Sequence, residues 1–201
     1  EGTVSYWGNY NLSIKPTIKD LNNYYEFGAS YNTRKFGFVL DFANVDKNYY
    51  TDMGFVQRIE NYDALRDTVV RVGYKHIFSE ISYNILPTKG KIGRIESSIN
   101  NFVVFNPDNS FNEWETTLQI KTDFKNASSL KVALSNNITN LLFATSFTDG
   151  IPLPAKQYQY ARFSIGYGSD TRKLFGWMSE IAFGQFYNGT VQSIAGGINW
   201  R

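Results

Sequence analysis

The stretch that decides the fold class runs from Asn112 to Phe124 and reads NEWETTLQIKTDF. From Trp114 onward, Trp114, Thr116, Leu118, Ile120, Thr122 and Phe124 fall on even positions, and Glu113, Glu115, Thr117, Gln119, Lys121 and Asp123 on odd ones. A period of two puts the first set on one face of a β-strand and the second on the other. One face is greasy and one is wet. A soluble sandwich would turn the greasy face toward a second sheet, whereas an outer-membrane barrel would turn it toward lipid. The run outlasts the roughly 5–6 residues of a common soluble strand and fits the about 9–11 that a tilted membrane strand needs.

The same alternation recurs along the chain. Val4, Tyr6, Tyr10, Leu12 and Ile14 oppose Ser5, Asn9, Asn11 and Ser13, with Trp7 an exception on the polar side; Tyr25, Phe27, Ala29 and Tyr31 oppose Glu26, Gly28 and Ser30. After a turn at Asn32-Thr33, Phe36, Phe38, Leu40 and Phe42 oppose Gly37, Val39 and Asp41. Val70, Val72 and Tyr74 begin a run read through to Phe78, followed by a return through Ile81, Tyr83 and Ile85. Further runs centre on Ile99, Val132, Ile165, Trp177 and Ile198. We expect an all-β chain, an antiparallel up-and-down meander of about eleven long strands, forming an outer-membrane β-barrel or a section of a larger one. Residues 1–201 make one domain or barrel section, with long connections at 45–67 and 146–157. In the first, the three-residue spacing of Ile59, Tyr62 and Leu65 suits a short helical turn.

Composition narrows the function. The chain carries 20 Lys and Arg against 18 Asp and Glu, without a basic cluster, which speaks against nucleic acid as a partner. Aromatic residues reach 17% and Pro only 5 of 201, a balance that favours strands. Cys is absent, which removes disulfides and thiolate metal sites. No stretch approaches the roughly 20 apolar residues of a membrane-spanning helix, a test that leaves barrels open. Glu1 in first place suggests a processed chain or a section of a longer one.

Candidate chemistry is sparse. His76 is the one histidine. It shares the parity of Val70, Val72 and Tyr74, so it is expected to point with the apolar set, where it cannot serve a lumen-facing Ser-His or Asp-His pair. We therefore expect no enzyme, no cofactor and no metal site. Asp52, Gly54, Phe55 and Arg58 form the most distinctive loop, read as a plug or packing motif in which Gly54 can take a positive φ and Arg58 a charge-assisted contact. Arg71, Lys75, Arg94, Glu96, Glu113, Glu115, Lys121, Asp123, Lys131, Arg162 and Glu180 are expected to face the lumen, lining a channel or cross-linking a filled interior. Trp114, Phe124, Tyr158, Tyr160, Tyr167 and Trp177 are expected at the membrane interfaces, where a ring with a polar tip suits the headgroup level. Ser169-Asp170-Thr171-Arg172 reads as a hairpin turn, and Asn188-Gly189 as a type I′ turn.

Four segments occur in order: Asp52 to Arg58 (DMGFVQR), Ile151 to Ala155 (IPLPA) ahead of Tyr158-Gln159-Tyr160, Tyr167 to Lys173 (YGSDTRK), and Gly184 to Thr190 (GQFYNGT). Together they resemble the C-terminal barrel region of an uncharacterised Bacteroidota outer-membrane family, whose members often carry an N-terminal domain similar to family 9 carbohydrate-binding modules. The resemblance spans most of the chain. It implies a bacterial outer-membrane location, contact with bilayer and lipopolysaccharide, and further outer-membrane or periplasmic proteins as partners, but no activity. The expected function is a non-enzymatic barrel acting in transport, secretion or an envelope complex. A secreted or surface carbohydrate-binding β-protein, with glycans as partners, is the alternative, and an outer-membrane hydrolase a weaker one.

Overall fold

The computed structural model describes residues 2–12, 22–51, 56, 58–147 and 150–200, with the side chains of residues 11 and 12 left out. The described chain is all-β, without a helix. Ten strands form one antiparallel sheet: β1 (Gly2–Leu12), β2 (Asn23–Thr33), β3 (Phe36–Val45), β6 (Tyr74–Ile85), β7 (Ile92–Phe105), β8 (Phe111–Phe124), β9 (Ser129–Asn140), β10 (Gln157–Gly168), β11 (Phe175–Phe186) and β12 (Gly189–Trp200). Each pairs with the strand before it, as in a meander. The sheet is open, because β1 and β12 make no pairing with each other among the described residues.

The remaining two strands, β4 (Glu60–Asp63) and β5 (Thr68–Arg71), make a small hairpin inside the connection from β3 to β6. They replace the helical turn expected over Ile59, Tyr62 and Leu65. They also divide the run that the sequence presents as continuous from Val70 to Phe78, since β5 stops at Arg71 and β6 starts at Tyr74 opposite Val45. The break sits at Gly73, where a Cβ would lie 2.6 Å from the Val45 carbonyl oxygen. Only a glycine lets the hairpin's exit pass that close to β3.

Tight turns set the register. Between β2 and β3, the Thr33 hydroxyl oxygen accepts hydrogen bonds from the Lys35 and Phe36 amides at 3.2 and 2.8 Å. Between β7 and β8, the Asp108 carboxylate accepts the Ser110 amide at 2.9 Å while Asn109 takes φ 66°. The β11–β12 turn is not the type I′ pair Asn188-Gly189. Its two loop residues are Tyr187 and Asn188, and Tyr187 carries the positive φ of 51°. Connections 34–35, 86–91, 125–128 and 169–174 gather at one end of the sheet, the short-turn end. Connections 46–73, 106–110, 141–156 and 187–188 gather at the other, the long-loop end.

The two faces differ as the opening stretch predicts. Cα partners across antiparallel strands share a face, so registers such as Phe38, Ile81, Ile99, Leu118, Leu134, Phe163 and Phe183 form continuous apolar rows. Among described strand residues of the sheet, the charged side chain in these rows is Lys75, at the long-loop rim; the other charged ones take the opposite face. Exposure is inverted relative to a soluble sheet. On β8, Trp114, Leu118 and Ile120 are 45%, 49% and 53% exposed, whereas the Glu113 side chain is 13% exposed. The apolar face is the open one and the polar face the more covered one, termed the interior. The buried apolar cluster is small, Val45, Tyr49 and Ile59 with Tyr24, Val56 and Tyr74 against it, and sits at the long-loop end.

Candidate functional site: the polar interior

The interior is built by the odd-parity residues of β8 and their partners. Arg94 on β7 donates to Asp123 on β8 from Nε at 2.9 Å and Nη2 at 2.6 Å, and its Nη1 lies 3.4 Å from Glu96. Lys121 reaches Asp123 at 3.6 Å, Lys131 reaches Glu180 at 2.8 Å, and Arg162 donates to the Ser193 hydroxyl at 2.8 Å across the intervening β11. Gly166 and Gly184 lie between some of these partners; at Gly184 a Cβ would meet the Ala161 carbonyl oxygen at 2.3 Å. Arg94, Glu96, Glu113, Glu115, Lys121, Asp123, Lys131, Arg162 and Glu180 thus all take interior register positions. Glu26, Asp41 and Glu80 share this face by register, so its described strand residues carry eight carboxylates against the four cations Arg94, Lys121, Lys131 and Arg162, an acidic surplus that the ion pairs only partly offset.

Two residues expected there lie elsewhere. Arg71 belongs to the β4–β5 hairpin, where it ion-pairs Glu60 and donates to the Lys47 carbonyl at 3.0 Å and the Tyr49 carbonyl at 2.6 Å. Lys75 is in the outer register, and its ammonium turns to the β7–β8 turn, donating to the Pro107 carbonyl at 3.2 Å and to Asn109. Both departures follow from the break at Gly73.

His76 also moves. It pairs with Ala43 and so faces inward, its Nε2 3.1 Å from Asp41 Oδ2. Its ring stacks on Tyr74 and tilts against Phe102. Asp41 holds a second donor, Trp7 Nε1 at 3.2 Å. Trp7, on the polar side of β1, fits there because Gly28 has no Cβ: an added one would lie 2.3 Å from the indole. Among described residues no three His, Cys, Asp or Glu side chains gather to hold a metal.

The interface aromatics divide. Trp114, Phe124, Tyr167 and Trp177 take the outer face, with Tyr167 and Trp177 ring centroids 5.0 Å apart. Tyr158 and Tyr160 do not: they pair with Thr139 and Asn137 and face inward, where Tyr158 donates to the Pro154 carbonyl at 2.9 Å. Their parity is opposite to that of Ala161, Phe163, Ile165 and Tyr167, a signal the sequence carries. The same parity reveals outer aromatics missed as a set. Tyr31, Phe36, Tyr83, Phe175 and Trp200 stand at the short-turn end, and Tyr10 and Tyr25 at the long-loop end, with the aliphatic Leu40, Ile81, Leu118, Leu134, Ile165 and Ile181 between.

The two mouths of the interior differ. At the short-turn end, a cavity of about 700 Å³ opens beside Lys131, Gly166, Gly176, Glu180, Ala195 and Gly197. At the long-loop end, Ile59 is 1% exposed on the inner face, and Arg58, at φ 63°, ion-pairs Glu113 of β8 with its guanidinium over the Phe102 ring. Desolvation is the largest single influence on Arg58 and lowers its pKa; the Glu113 hydrogen bond together with the charges of Glu113, Tyr74 and Glu115 outweighs it, and the net shift is upward. Asp52, Gly54 and Phe55, expected with Arg58 in a plug motif, lie outside the described residues. From the β11–β12 turn, Tyr187 packs with Tyr158, Tyr160 and Phe147 at 5.0–5.3 Å between ring centroids. No family model, curated protein or solved structure matches this chain. The resemblance to a Bacteroidota barrel family rests on the four quoted segments.

Proposed function

We propose that this chain supplies membrane-spanning strands of a bacterial outer-membrane β-barrel, a non-enzymatic protein acting in transport, secretion or assembly of an envelope complex. The observation that carries this reading is the inversion of the sheet. A largely apolar face is turned out, interrupted by the row Ser79, Asn101, Thr116 and Asn136; the described charged strand residues of the sheet other than Lys75 are turned in, and Tyr and Trp gather at both ends of the apolar band. In water, exposing rows of Ile, Leu and Phe such as the one that runs from β3 to β11 is costly at about 25 cal/mol per Å². In lipid the same rows are at home, and mid-strand Glu, Lys and Arg keep contact with water inside. The strand lengths, 10–14 residues in the main sheet, also suit a tilted crossing.

Fractionation of the full-length protein tests this, with SDS-gel mobility compared before and after boiling. The expected result is recovery only from detergent-extracted outer membranes, with a heat-dependent mobility shift. Release by salt or plain buffer with no shift overturns the membrane reading and makes a glycan-binding β-protein the leading alternative, its outward Tyr and Trp then serving as stacking platforms for sugars.

A further inference from the structure

The apolar band on the outward face is not level with the strand register. One register row crosses all ten strands, from Val4 on β1 through Leu118 on β8 to Gln192 on β12. On β1 and β2 the apolar residues begin at this row and extend to its long-loop side, Val4 to Tyr10 and Tyr31 to Tyr25. On β3 they run from Phe36 to Phe42, on both sides of it. On β10 they run from Ala161 to Tyr167, mostly on the short-turn side, with Gln159 beyond them toward the long loops. On β11 they run from Phe183 at the row to Phe175, and on β12 from Ile194 to Trp200, wholly on the short-turn side. Gln185, Thr190 and Gln192 fill the rest of that face on these two strands.

The drift is regular. The midpoint of Val4 and Tyr10 stands three residues to the long-loop side of the row, and that of Ile194 and Trp200 five residues to the short-turn side. This displacement of about eight residues accrues over nine strand steps, about 26 Å against about 43 Å at the spacings of a sheet, a slant of about 30°. The band keeps its width as it drifts, spanning about six residue steps on β1, β2, β3, β10 and β12 and about eight on β11, or about 20–26 Å. A second sheet packed in alignment would keep the band level with the register. A flat hydrocarbon slab crossed by leaning strands displaces it by a fixed amount per strand, and membrane strands lean by roughly 35–45° across a band about 25 Å tall. Strands β6 to β9 are apolar at both levels, as from Ile77 to Ile85 and from Leu130 to Ile138. The uncharged row that interrupts them bonds within itself and to its neighbour: the Asn101 side-chain oxygen accepts Thr116 Oγ1 at 2.8 Å and Trp114 Nε1 at 3.3 Å.

We propose, resting on the membrane reading above, that the bilayer crosses this sheet obliquely. Its midplane runs by Tyr6 on β1, Leu118 on β8 and Ile198 on β12, and Gln159, Gln185, Thr190 and Gln192 stand at the headgroup level of the long-loop side. Leu118 and Gln192, which share a register row, thus meet different layers of the membrane, whereas Tyr6 and Ile198, which do not, meet the same one.

Nitroxide labels on single cysteines test this in the purified full-length protein reconstituted in lipid vesicles, since the chain has no Cys of its own. Depth is read from the ratio of spin relaxation by oxygen, which concentrates in hydrocarbon, to relaxation by a water-soluble nickel chelate. Tyr6→Cys, Leu118→Cys and Ile198→Cys should give matching high ratios, and Gln192→Cys a ratio several-fold lower. Equal ratios at Gln192→Cys and Leu118→Cys, or unequal ones at Tyr6→Cys and Ile198→Cys, overturn the slant and leave the membrane reading standing. Low ratios at all four sites overturn the membrane reading and the slant with it.

Discussion

Asp170 shows how one residue of the short-turn end is governed. Its carboxylate accepts the Arg172 amide at 3.0 Å and the Arg172 guanidinium at 2.9 Å on each oxygen, and these bonds hold its pKa near about 2, below its ordinary 3.8. A depressed carboxylate pKa stabilises the turn fully above the unfolded value and loses that contribution as pH falls through the folded one. The Arg172 amide resonance should therefore shift between pH 4 and 2 in the wild type and stay flat over that range in Asp170→Asn; equal titration in both would remove Asp170 as the cause. Sequence made this turn legible, since an Asp two residues before its donor is a local pattern. It made His76 illegible for the opposite reason. The parity of β6 comes from pairing with β3, where Ala43 opposite His76 is interior, and not from β5 just before it. At Tyr158 and Tyr160 the parity was present in the sequence, but their aromatic character suggested an interface that their position on the strand denies.

At the scale of the element, β8 carries the decisive contrast between faces. Leu118 sits in an apolar row between Ile99 and Leu134, and its neighbour Gln119 lies between Ser98 and Ala133 on the interior face. Adjacent residues of one strand thus lie on opposite faces, and the barrel reading gives those faces opposite solvents. Leu118→Arg should destabilise the protein in lipid vesicles by about 2–4 kcal/mol near the bilayer midplane, and Gln119→Arg by far less. Urea unfolding of both variants in vesicles measures the difference. A soluble sheet would reverse the outcome, because arginine in place of an exposed leucine costs little in water. The long strands were readable because alternation over ten or more residues has few competing explanations. The β4–β5 hairpin was not, because four-residue strands carry too short a pattern, and the spacing of Ile59, Tyr62 and Leu65 imitates a helical turn. Its place is set by contacts outside the hairpin, Ile59 on Val45 and Arg71 on the Lys47 and Tyr49 carbonyls.

For the whole molecule, strand parity and connection length together set an orientation. With ten strands in a meander, β1 begins and β12 finishes at the short-turn end, and the two edge strands run antiparallel. In lipid their free N–H and C=O groups must be met by each other or by further strands, since each unmet group costs several kcal/mol. Either closure continues the antiparallel pattern. Outer-membrane barrels place short turns in the periplasm and longer loops outside the cell, so the long-loop end, with the Arg58–Glu113 ion pair, should face outward and the 700 Å³ cavity should open toward the periplasm. Single cysteines report this without background, because the chain has none of its own. Leu65→Cys lies on the exposed tip of the β4–β5 hairpin and Lys89→Cys in the exposed turn 86–91. A membrane-impermeant maleimide should label Leu65→Cys in intact cells and Lys89→Cys only after the outer membrane is permeabilised. The reverse pattern would invert the orientation and put the β4–β5 hairpin in the periplasm. Equal labelling of both sites in intact cells would mean that the sheet does not separate two compartments, leaving its outward apolar rows without the lipid that accounts for them.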